Sequence, residues 1–115
     1  MNWEILVLPE VQSWLDGLSE KNLEEVTAVI DALHLVGPDL KRPIVGKVVN
    51  SKYSNMKELI PLGSNIRILF IFDPKRRAVL LLGGDKSSDF RGWYRKFIPI
   101  ADKRYMQFLQ KEGLK

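Results

Sequence analysis

The stretch N-I-R-I-L-F-I-F-D-P-K-R-R-A-V-L-L-L-G-G, residues 65–84, has the pattern of two β-strands joined by a tight turn. In its first half, alternate apolar side chains share one face: Ile66, Ile68, Phe70 and Phe72. Arg67, Leu69 and Ile71 fall on the other face. Residues 73–77, Asp-Pro-Lys-Arg-Arg, have the chemistry of a hairpin loop, and Ala78–Leu82 returns as the next strand, which Gly83-Gly84 ends. Because strands joined by a tight turn pair antiparallel, residues 65–84 predict an antiparallel sheet.

Helix and strand patterns on either side complete the predicted fold. Pro9 suits the first turn of a helix that stops near residue 17, Ser19 is a good N-cap for a second helix, and Gly37-Pro38 ends that helix. The other predicted elements are strands at Trp3–Leu8, Ile44–Val49 and Met56–Leu62, a short helix from Asp89 through Phe97, and a final helix from Pro99 to about Gln110. We therefore predict one small α+β domain over residues 1–115: a twisted, mainly antiparallel sheet packed against an N-terminal helical hairpin, with a C-terminal helix.

Composition limits the class of protein. A chain of 115 residues, 45% hydrophobic and 28% charged, is long enough for one core and too short for two. No apolar stretch approaches the roughly 20 residues that a membrane span needs, and the N-terminus lacks the pattern of a secretory signal. There is no cysteine, so disulfides and thiolate metal sites are excluded. We expect a cytoplasmic protein without a membrane partner.

Charge is unevenly distributed along the chain. Residues 1–40 carry one basic side chain, Lys21, against eight acidic ones, a net charge of −7. Residues 41–115 carry 17 basic side chains against six acidic ones, a net charge of +11. This segregation predicts a polyanionic partner for the later part of the chain. The alternative is a solvated surface with a chance asymmetry.

Several common catalytic arrangements are missing. There is one histidine, His34, which the pattern places near the end of the second helix and far from the basic region. No glycine-rich phosphate loop is followed by Lys and Ser or Thr, and no carboxylate cluster has the spacing of metal ligands. These absences disfavour a histidine-based ribonuclease, and we expect no metal and no cofactor.

Cationic side chains follow the predicted strands and the turn after them. Arg67 interrupts the most apolar strand, where a guanidinium must pair, reach solvent or serve a site. Lys57 lies on the preceding predicted strand and would be near Arg67 if the two strands pair. Lys86 follows the next strand, and a run of cations and aromatics comes after it: Arg91, Trp93, Tyr94, Arg95 and Lys96. The pattern predicts one cationic region.

Cleavage of RNA is a reaction that such a region could perform. When the ribose 2′-OH attacks the adjacent phosphate, the enzyme needs a proton acceptor, cations for the added negative charge, and an acid for the leaving oxygen. Arginine suits the phosphate because its planar fork contacts two oxygens. A tyrosine or lysine exchanges protons only if its pKa is lowered, which we expect in a crowded cationic cleft. Trp93 or Tyr94 could also stack on a base.

Ordinary structural roles are open for the same residues. Arg67 could satisfy an internal carboxylate such as Asp85, and Trp93 could pack in the core. Lys57 and Glu58 could be outward-facing strand residues. The hairpin-tip run that contains Arg76 could be solvated or a general phosphate contact.

Two groups of motifs resemble the RelE/HigB superfamily of toxins. The order Met56-Lys57-Glu58-Leu59, then Ile66–Phe70, then Asp73-Pro74, is similar to the central strands of these proteins. The closing stretch resembles the phage-associated HigB branch: Leu82-Gly83-Gly84-Asp85-Lys86-Ser87, Trp93-Tyr94, Ile98-Pro99 and Ala101-Asp102. The similarity runs from Trp3 to about Leu109.

The resemblance implies the toxin of a type II toxin–antitoxin pair, a metal-independent endoribonuclease that cleaves mRNA, in many members at the ribosome. It implies that Arg67 holds the scissile phosphate, that Lys86 stabilises it, and that Tyr94 orients the nucleotide or moves a proton. Lys57 would be a further catalytic cation, and the remaining candidates would bind RNA: Arg91, Trp93, Arg95, Lys96 and Arg76. The implied partner is a helix-turn-helix, HigA-like antitoxin.

The resemblance has one departure and leaves two alternatives. Many RelE-type relatives end in a short run of basic residues followed by tyrosine, whereas this chain continues into a predicted helix over Pro99–Gln110. The first alternative is a ParE-type toxin, which shares the fold and inhibits DNA gyrase. The second is a non-catalytic RNA-binding module that uses the same basic face.

Overall fold

The computed structural model describes residues 2–114, which form a five-stranded sheet, three α-helices and one 3₁₀ turn. In chain order the elements are β1 (Ile5–Val7), α1 (Pro9–Asp16), α2 (Glu20–Val36), the 3₁₀ turn (Gly37–Asp39), β2 (Val45–Lys47), β3 (Lys57–Leu59), β4 (Ile66–Phe72), β5 (Ala78–Asp85) and α3 (Phe90–Lys111). The strand order is β1-β5-β4-β3-β2, with β1 parallel to β5 and every other pair antiparallel. This architecture confirms the predicted fold class.

The predicted hairpin forms the centre of the sheet. Asp73 closes its turn, because its buried carboxylate accepts hydrogen bonds from the backbone N–H groups of Lys75 and Arg77 at 3.0 and 2.8 Å. The Arg77 guanidinium completes the arrangement with an Nε–Oδ2 distance of 2.8 Å to the same carboxylate. Arg76 takes the left-handed conformation (φ +64°) that brings the chain back into β5.

The sheet separates two apolar cores. The face predicted from Ile66, Ile68 and Phe70 packs against α1 and α2, and the other face packs against α3. Leu69 and Ile71 are buried under α3. Arg67 shares their face by strand alternation, as predicted, and the structure shows that α3 covers this face.

Several element boundaries differ from prediction. The structure has one helix, α3, where the sequence predicted two, because the turns on either side of Pro99 bury Ile98 and Ala101 against the sheet and hold the helix together despite the lost N–H. The predicted cap is confirmed: the Asp89 side chain accepts from the Gly92 N–H at 2.9 Å. β2 and β3 are three residues each, shorter than predicted.

No helix within residues 2–114 is long and apolar enough to cross a membrane.

Gly83 and Gly84 do not end β5, which continues to Asp85. They allow two indole rings to lie directly on the strand, one on each face. A Cβ at residue 83 would lie 2.3 Å from the ring of Trp14, and a Cβ at residue 84 would lie 2.8 Å from Nε1 of Trp93. The glycine pair therefore sets how closely α1 and α3 approach the sheet.

We predict that Gly83→Ala and Gly84→Ala each destabilise the protein by about 1–3 kcal/mol, because the added methyl group forces an indole ring off the strand. Gly17→Ala is the matched control, since its added Cβ would meet its nearest neighbour at an ordinary 3.7 Å. Urea unfolding of the three variants measures the free energy of unfolding. Equal values for all three would contradict the packing described for the two tryptophans.

Candidate active site: a cationic cleft around Glu58

An open cleft of about 560 Å³ lies between the end of β2 and the first half of α3. Its lining contains three cations and one buried carboxylate. The lining residues are Lys47, Val48, Val49, Asn50, Glu58, Arg91, Tyr94, Arg95, Ile98 and Pro99. The cleft lies on the same side of the sheet as Arg67.

Glu58 is the buried charge of this site, with 7% of its surface exposed. It lies in β3 opposite Gly46 of β2 and Leu69 of β4. The Tyr94 hydroxyl donates a hydrogen bond to Glu58 Oε1 at 2.7 Å. Arg42 approaches from the other side: a Cβ at Gly46 would lie 3.1 Å from Arg42 Nη2 and 3.3 Å from Glu58 Oε2. A buried carboxylate is tolerated because donors and cations surround it.

Arg67 lies beside this carboxylate with part of its hydrogen-bonding capacity unused. Its Nη1 donates to the backbone oxygens of Ser64 and Ile66 at 3.2 and 2.7 Å. Its Nε is shielded from solvent and has no hydrogen-bond partner among residues 2–114; it lies 3.8 Å from Glu58 Oε1, an ion-pair distance. The acid beside Arg67 is thus Glu58 and not Asp85, whose carboxylate accepts from the Ser87 N–H. A buried, unsatisfied donor is rare in native proteins and is a feature of ligand sites.

Lys86 and Tyr94 complete the cluster. The Lys86 Nζ lies 5.1 Å from the centre of the Tyr94 ring and 5.2 Å from that of Phe90. Burial lowers the pKa of Lys86, and the charges of Arg67 and Arg42 lower it further, while Glu58 acts in the opposite direction. This direction agrees with the expectation for a lysine in a cationic cleft.

Tyr94 differs from that expectation. Its pKa is raised to about 12, first by burial and then by the hydrogen bond and charge of Glu58, while the charge and hydrogen bond of Arg67 oppose the rise. The prediction that the pKa of Tyr94 is lowered is wrong, because burial and the Glu58 carboxylate at its hydroxyl outweigh the opposing charge of Arg67. Tyr94 therefore keeps its proton at neutral pH and acts as a hydrogen-bond donor.

The structure brings together five of the nine candidate residues that the sequence singled out. Arg67, Lys86 and Tyr94 surround Glu58, and Arg91 and Arg95 line the helix side of the cleft. Lys96, on the same helix, is exposed outside the lining, with its Nζ 5.3 Å from the centre of the Phe97 ring.

Three other candidates lie elsewhere. Lys57 pairs in register with Phe70 of β4 and so faces away from Arg67; the predicted proximity is wrong because residue 58, not 57, has the cleft-facing position. Arg76 lies in the hairpin turn, 4.9 Å from the Trp3 ring. Trp93 is buried against Gly84 and 6% exposed, so the predicted RNA contact through its ring is wrong.

Sequence reasoning missed three residues of this site: Glu58, Arg42 and Lys47. Alternation along β3 places Glu58 on the face opposite Lys57 and Leu59, but it does not show which of the two faces lines the cleft. Nothing in the sequence signals that Arg42, from the loop before β2, reaches the space over Gly46.

Hydrogen bonds also hold the segment after β2, which lines the cleft, against α3. The buried carboxylate of Asp102 accepts hydrogen bonds from the Ser51 hydroxyl at 2.5 Å and from the Lys52 N–H at 3.0 Å. These bonds tie the segment after β2 to α3. Asn50, which lines the cleft just before this tie, has the left-handed conformation (φ +70°) that asparagine tolerates. The Ala-Asp motif of the sequence therefore has a positioning role.

We predict that Tyr94→Phe lowers the free energy of unfolding by about 1–3 kcal/mol, because it removes the hydroxyl that satisfies the buried Glu58 carboxylate. Tyr53→Phe is the matched control: Tyr53 is also partly buried, and its hydroxyl donates no hydrogen bond within residues 2–114. Its expected change is within about 0.5 kcal/mol. Urea unfolding measures both, and a Glu58→Gln background should reduce the effect of Tyr94→Phe. An undiminished effect there would contradict the direct contact.

The chain is similar to a known protein family and to two named bacterial proteins. Residues 13–106 match the family described as "Phage derived protein Gp49-like (DUF891)". HigB3 of Mycobacterium tuberculosis (strain ATCC 25618 / H37Rv), named as a candidate toxin, is 49% identical over 108 residues, which are 94% of this chain and 95% of HigB3. HigB2 of the same strain, also named as a candidate toxin, is 40% identical over 102 residues, 86% of this chain and 51% of HigB2.

A solved structure shows the same fold. It is a chain in the crystal structure of the archaeal RelE–RelB complex from Pyrococcus horikoshii OT3, with a TM-score of 0.60 at 13% sequence identity, covering 75% of this chain and 97% of that one. The sequence similarity to HigB3 and HigB2 agrees with this structural likeness. The chain therefore belongs to the phage-derived Gp49-like family, within the RelE/HigB superfamily of toxins.

Proposed function

We propose that this chain is the toxin of a type II toxin–antitoxin pair and that it is an endoribonuclease that cleaves mRNA in the cleft around Glu58. The observation that carries the proposal is the buried Nε of Arg67, a charged donor that has no hydrogen-bond partner within residues 2–114 and lies beside a carboxylate and a lysine. A phosphate oxygen is the ligand that fits such a donor. The names of HigB3 and HigB2 support the toxin role.

The proposed reaction begins with the ribose 2′-OH. Glu58 accepts its proton as the 2′ oxygen attacks phosphorus, and the bond from phosphorus to the 5′ oxygen breaks. Lys86 donates a proton to that leaving oxygen, so the products are a 2′,3′-cyclic phosphate and a 5′-OH end. A lysine whose pKa is lowered by burial and by Arg67 is a stronger acid than an exposed one.

Arg67 supplies the electrostatic part of catalysis. Its Nε can donate to a phosphate oxygen without breaking any hydrogen bond that the protein already makes. The charge that develops on the phosphate in the transition state strengthens this contact, which is the condition for rate enhancement. Arg42 reaches the same carboxylate over Gly46 and adds a second positive charge.

Tyr94 has a positioning role in this proposal. Its hydroxyl holds Glu58 Oε1 at 2.7 Å, and its raised pKa keeps it protonated across the range in which the enzyme works. The base is thus oriented by a fixed donor. The chain's histidine is not used, since His34 Nδ1 is engaged with the Trp3 backbone oxygen at 2.8 Å. The proposed activity is metal-independent, because side chains of the protein take every role.

We also propose a protein partner and a place of action. The RelE–RelB complex supports an antitoxin partner for this chain. We propose a helix-turn-helix, HigA-like antitoxin and mRNA cleavage at the ribosome, in the cytoplasm. A neighbouring gene for a small helix-turn-helix protein, and its co-purification with this chain, would test the partner.

We predict that Arg67→Ala abolishes growth arrest on induction while the circular dichroism spectrum stays that of a folded protein. Loss of one preorganised donor to a developing negative charge lowers the rate by about 10²–10³. Lys21→Ala, on the exposed surface of α2, is the control and should leave toxicity unchanged. A folded Arg67→Ala variant as toxic as the parent would show that the site is misplaced.

Incubation of the purified protein with mRNA, with and without ribosomes, tests the activity itself. The expected result is cleaved RNA with 2′,3′-cyclic phosphate ends in at least one of the two reactions. Intact RNA in both, alongside trapped gyrase–DNA complexes, would favour a ParE-type activity instead. RNA that is bound and intact would favour a non-catalytic binding module.

Lys86 gives a pH-dependent prediction. An acid must be protonated to act, so the cleavage rate should fall as pH rises through the pKa of Lys86, which lies below the ordinary lysine value. Lys86→Arg keeps the charge but does not release its proton; we expect a rate about 10²–10⁴-fold lower, without that alkaline fall. A pH–rate profile of both proteins measures this. The same alkaline fall in Lys86→Arg would assign the acid to another group.

A further inference from the structure

A second groove of about 540 Å³ lies on the other side of the edge strand β2, between the segment after α2 and the β2–β3 pair. Its lining contains four cations and no carboxylate. The lining residues are Pro38, Leu40, Lys41, Arg42, Val45, Gly46, Lys47, Ser54, Asn55, Met56 and Lys57. Of these residues, only Arg42 has a role in the proposed catalysis.

The cations of this groove lack acidic partners. Within residues 2–114, no carboxylate oxygen lies within 4.0 Å of a side-chain nitrogen of Lys41, Arg42, Lys47 or Lys57. Arg77, by contrast, is paired with two carboxylates. The charges of Lys41, Lys47 and Lys57 are therefore available to an external anion, whereas Arg42 lies near Glu58 across Gly46.

Two of these cations are placed unfavourably for the isolated protein. Lys47 of β2 and Lys57 of β3 are direct partners in the antiparallel register, so their side chains project from the same face. Like charges directly opposite each other on neighbouring strands are destabilising. An anion bound between them would relieve that repulsion.

The groove is continuous with the cleft. Lys47 lines both, and β2, the strand between them, is three residues long and lies at the edge of the sheet. Arg42 also lines the groove and extends over Gly46 toward Glu58. A chain of phosphates that leaves the cleft over β2 would pass Lys47, which lines both the cleft and the groove, and then Arg42.

Beyond the groove, cations alternate with aromatic rings. The Lys57 Nζ lies 5.8 Å from the centre of the Phe72 ring, which packs edge-on against Trp3 at 5.8 Å between centroids. Arg76 lies 4.9 Å from the Trp3 ring. Basic grooves with aromatic side chains are typical of surfaces that bind single-stranded nucleic acid. This favours RNA over an acidic peptide as the occupant.

We propose that an RNA single strand runs from the cleft over β2 into this groove, where Lys41, Lys47 and Lys57 contact its phosphates. The inference rests on the proposed function, because it identifies the occupant of the groove as the strand that is cleaved next to Glu58. It makes the substrate a strand longer than the few nucleotides that the cleft holds. It also gives Lys57 a role as a binding residue outside the cleft.

Binding of RNA that cannot be cleaved tests the inference. Oligonucleotides with every 2′-OH methylated, about four and about twelve nucleotides long, span the site sizes of single-strand-binding domains. The variant is Lys41→Gln/Lys57→Gln, whose positions line only the groove. The matched control is Lys103→Gln/Lys111→Gln, which removes the same charge from two exposed positions outside both linings.

We predict that the groove variant binds the long RNA about 25-fold more weakly at about 0.1 M salt, and that its slope of log K against log salt is smaller by about 1.4, the loss of two phosphate contacts on a single strand. The short RNA should bind within about twofold of the parent protein, and the control should match the parent with both. Fluorescence anisotropy at several salt concentrations measures affinity and slope.

An unchanged affinity and slope of the groove variant for the long RNA would overturn the inference. So would a groove that binds oligo-glutamate and not the long RNA, which would assign it to an acidic protein. Because the methylated RNA needs no cleavage, these results are independent of catalysis. A parent protein that cleaves RNA while the groove variant binds like the control would overturn the groove alone and leave the proposed function standing.

Discussion

The site depends on a carboxylate that is buried in the middle of a three-residue strand. Three other elements bring donors or cations to the Glu58 carboxylate: Tyr94 from α3, Arg67 from β4, and Arg42 from the loop before β2. The Glu58 carboxylate and the Arg42 guanidinium both lie next to Gly46, where a side chain would crowd them. Burial of one carboxylate therefore requires that these side chains converge, and the cluster that results joins a carboxylate with two arginines and a tyrosine.

The position of α3 makes this convergence possible. Trp93 lies on Gly84 and brings the first turn of the helix onto the strand directly opposite Arg67 in register, while its neighbour Tyr94 points to Glu58. Because α3 continues through Pro99 as one helix, the bonds of Asp102 to the loop after β2 belong to the same rigid element as Tyr94. The floor and the wall of the cleft are thus positioned together, which is how a site becomes preorganised.

The sequence predicted those parts of the molecule that local pattern determines. Alternation over residues 65–73 identified β4 and the face of Arg67, and the Asp73 turn fixed the hairpin. It did not reveal that Glu58 lies in the cleft, because β3 is too short for alternation to show which face is buried, and a shift of one residue exchanges Lys57 for Glu58. The pKa of Tyr94 was also beyond reach, since it depends on a contact between residues 36 positions apart.

Two arrangements of cations in this protein are incompletely satisfied by the residues around them. One is the Nε of Arg67, which has no hydrogen-bond partner within residues 2–114, and the other is the pair Lys47 and Lys57, which face each other on neighbouring strands. Both are arrangements that the folded protein tolerates and that a bound anion would stabilise, and both lie in the β2–β4 part of the sheet. The net charge of −7 over residues 1–40 belongs to β1, α1, α2 and the turn after α2, so it leaves the β2–β4 strands and α3 with the positive excess. A polyanion would therefore be drawn to the cleft and the groove rather than to the helical hairpin. The uneven charge of the sequence thus favours anion binding across the same region in which Arg67 Nε has no hydrogen-bond partner within residues 2–114.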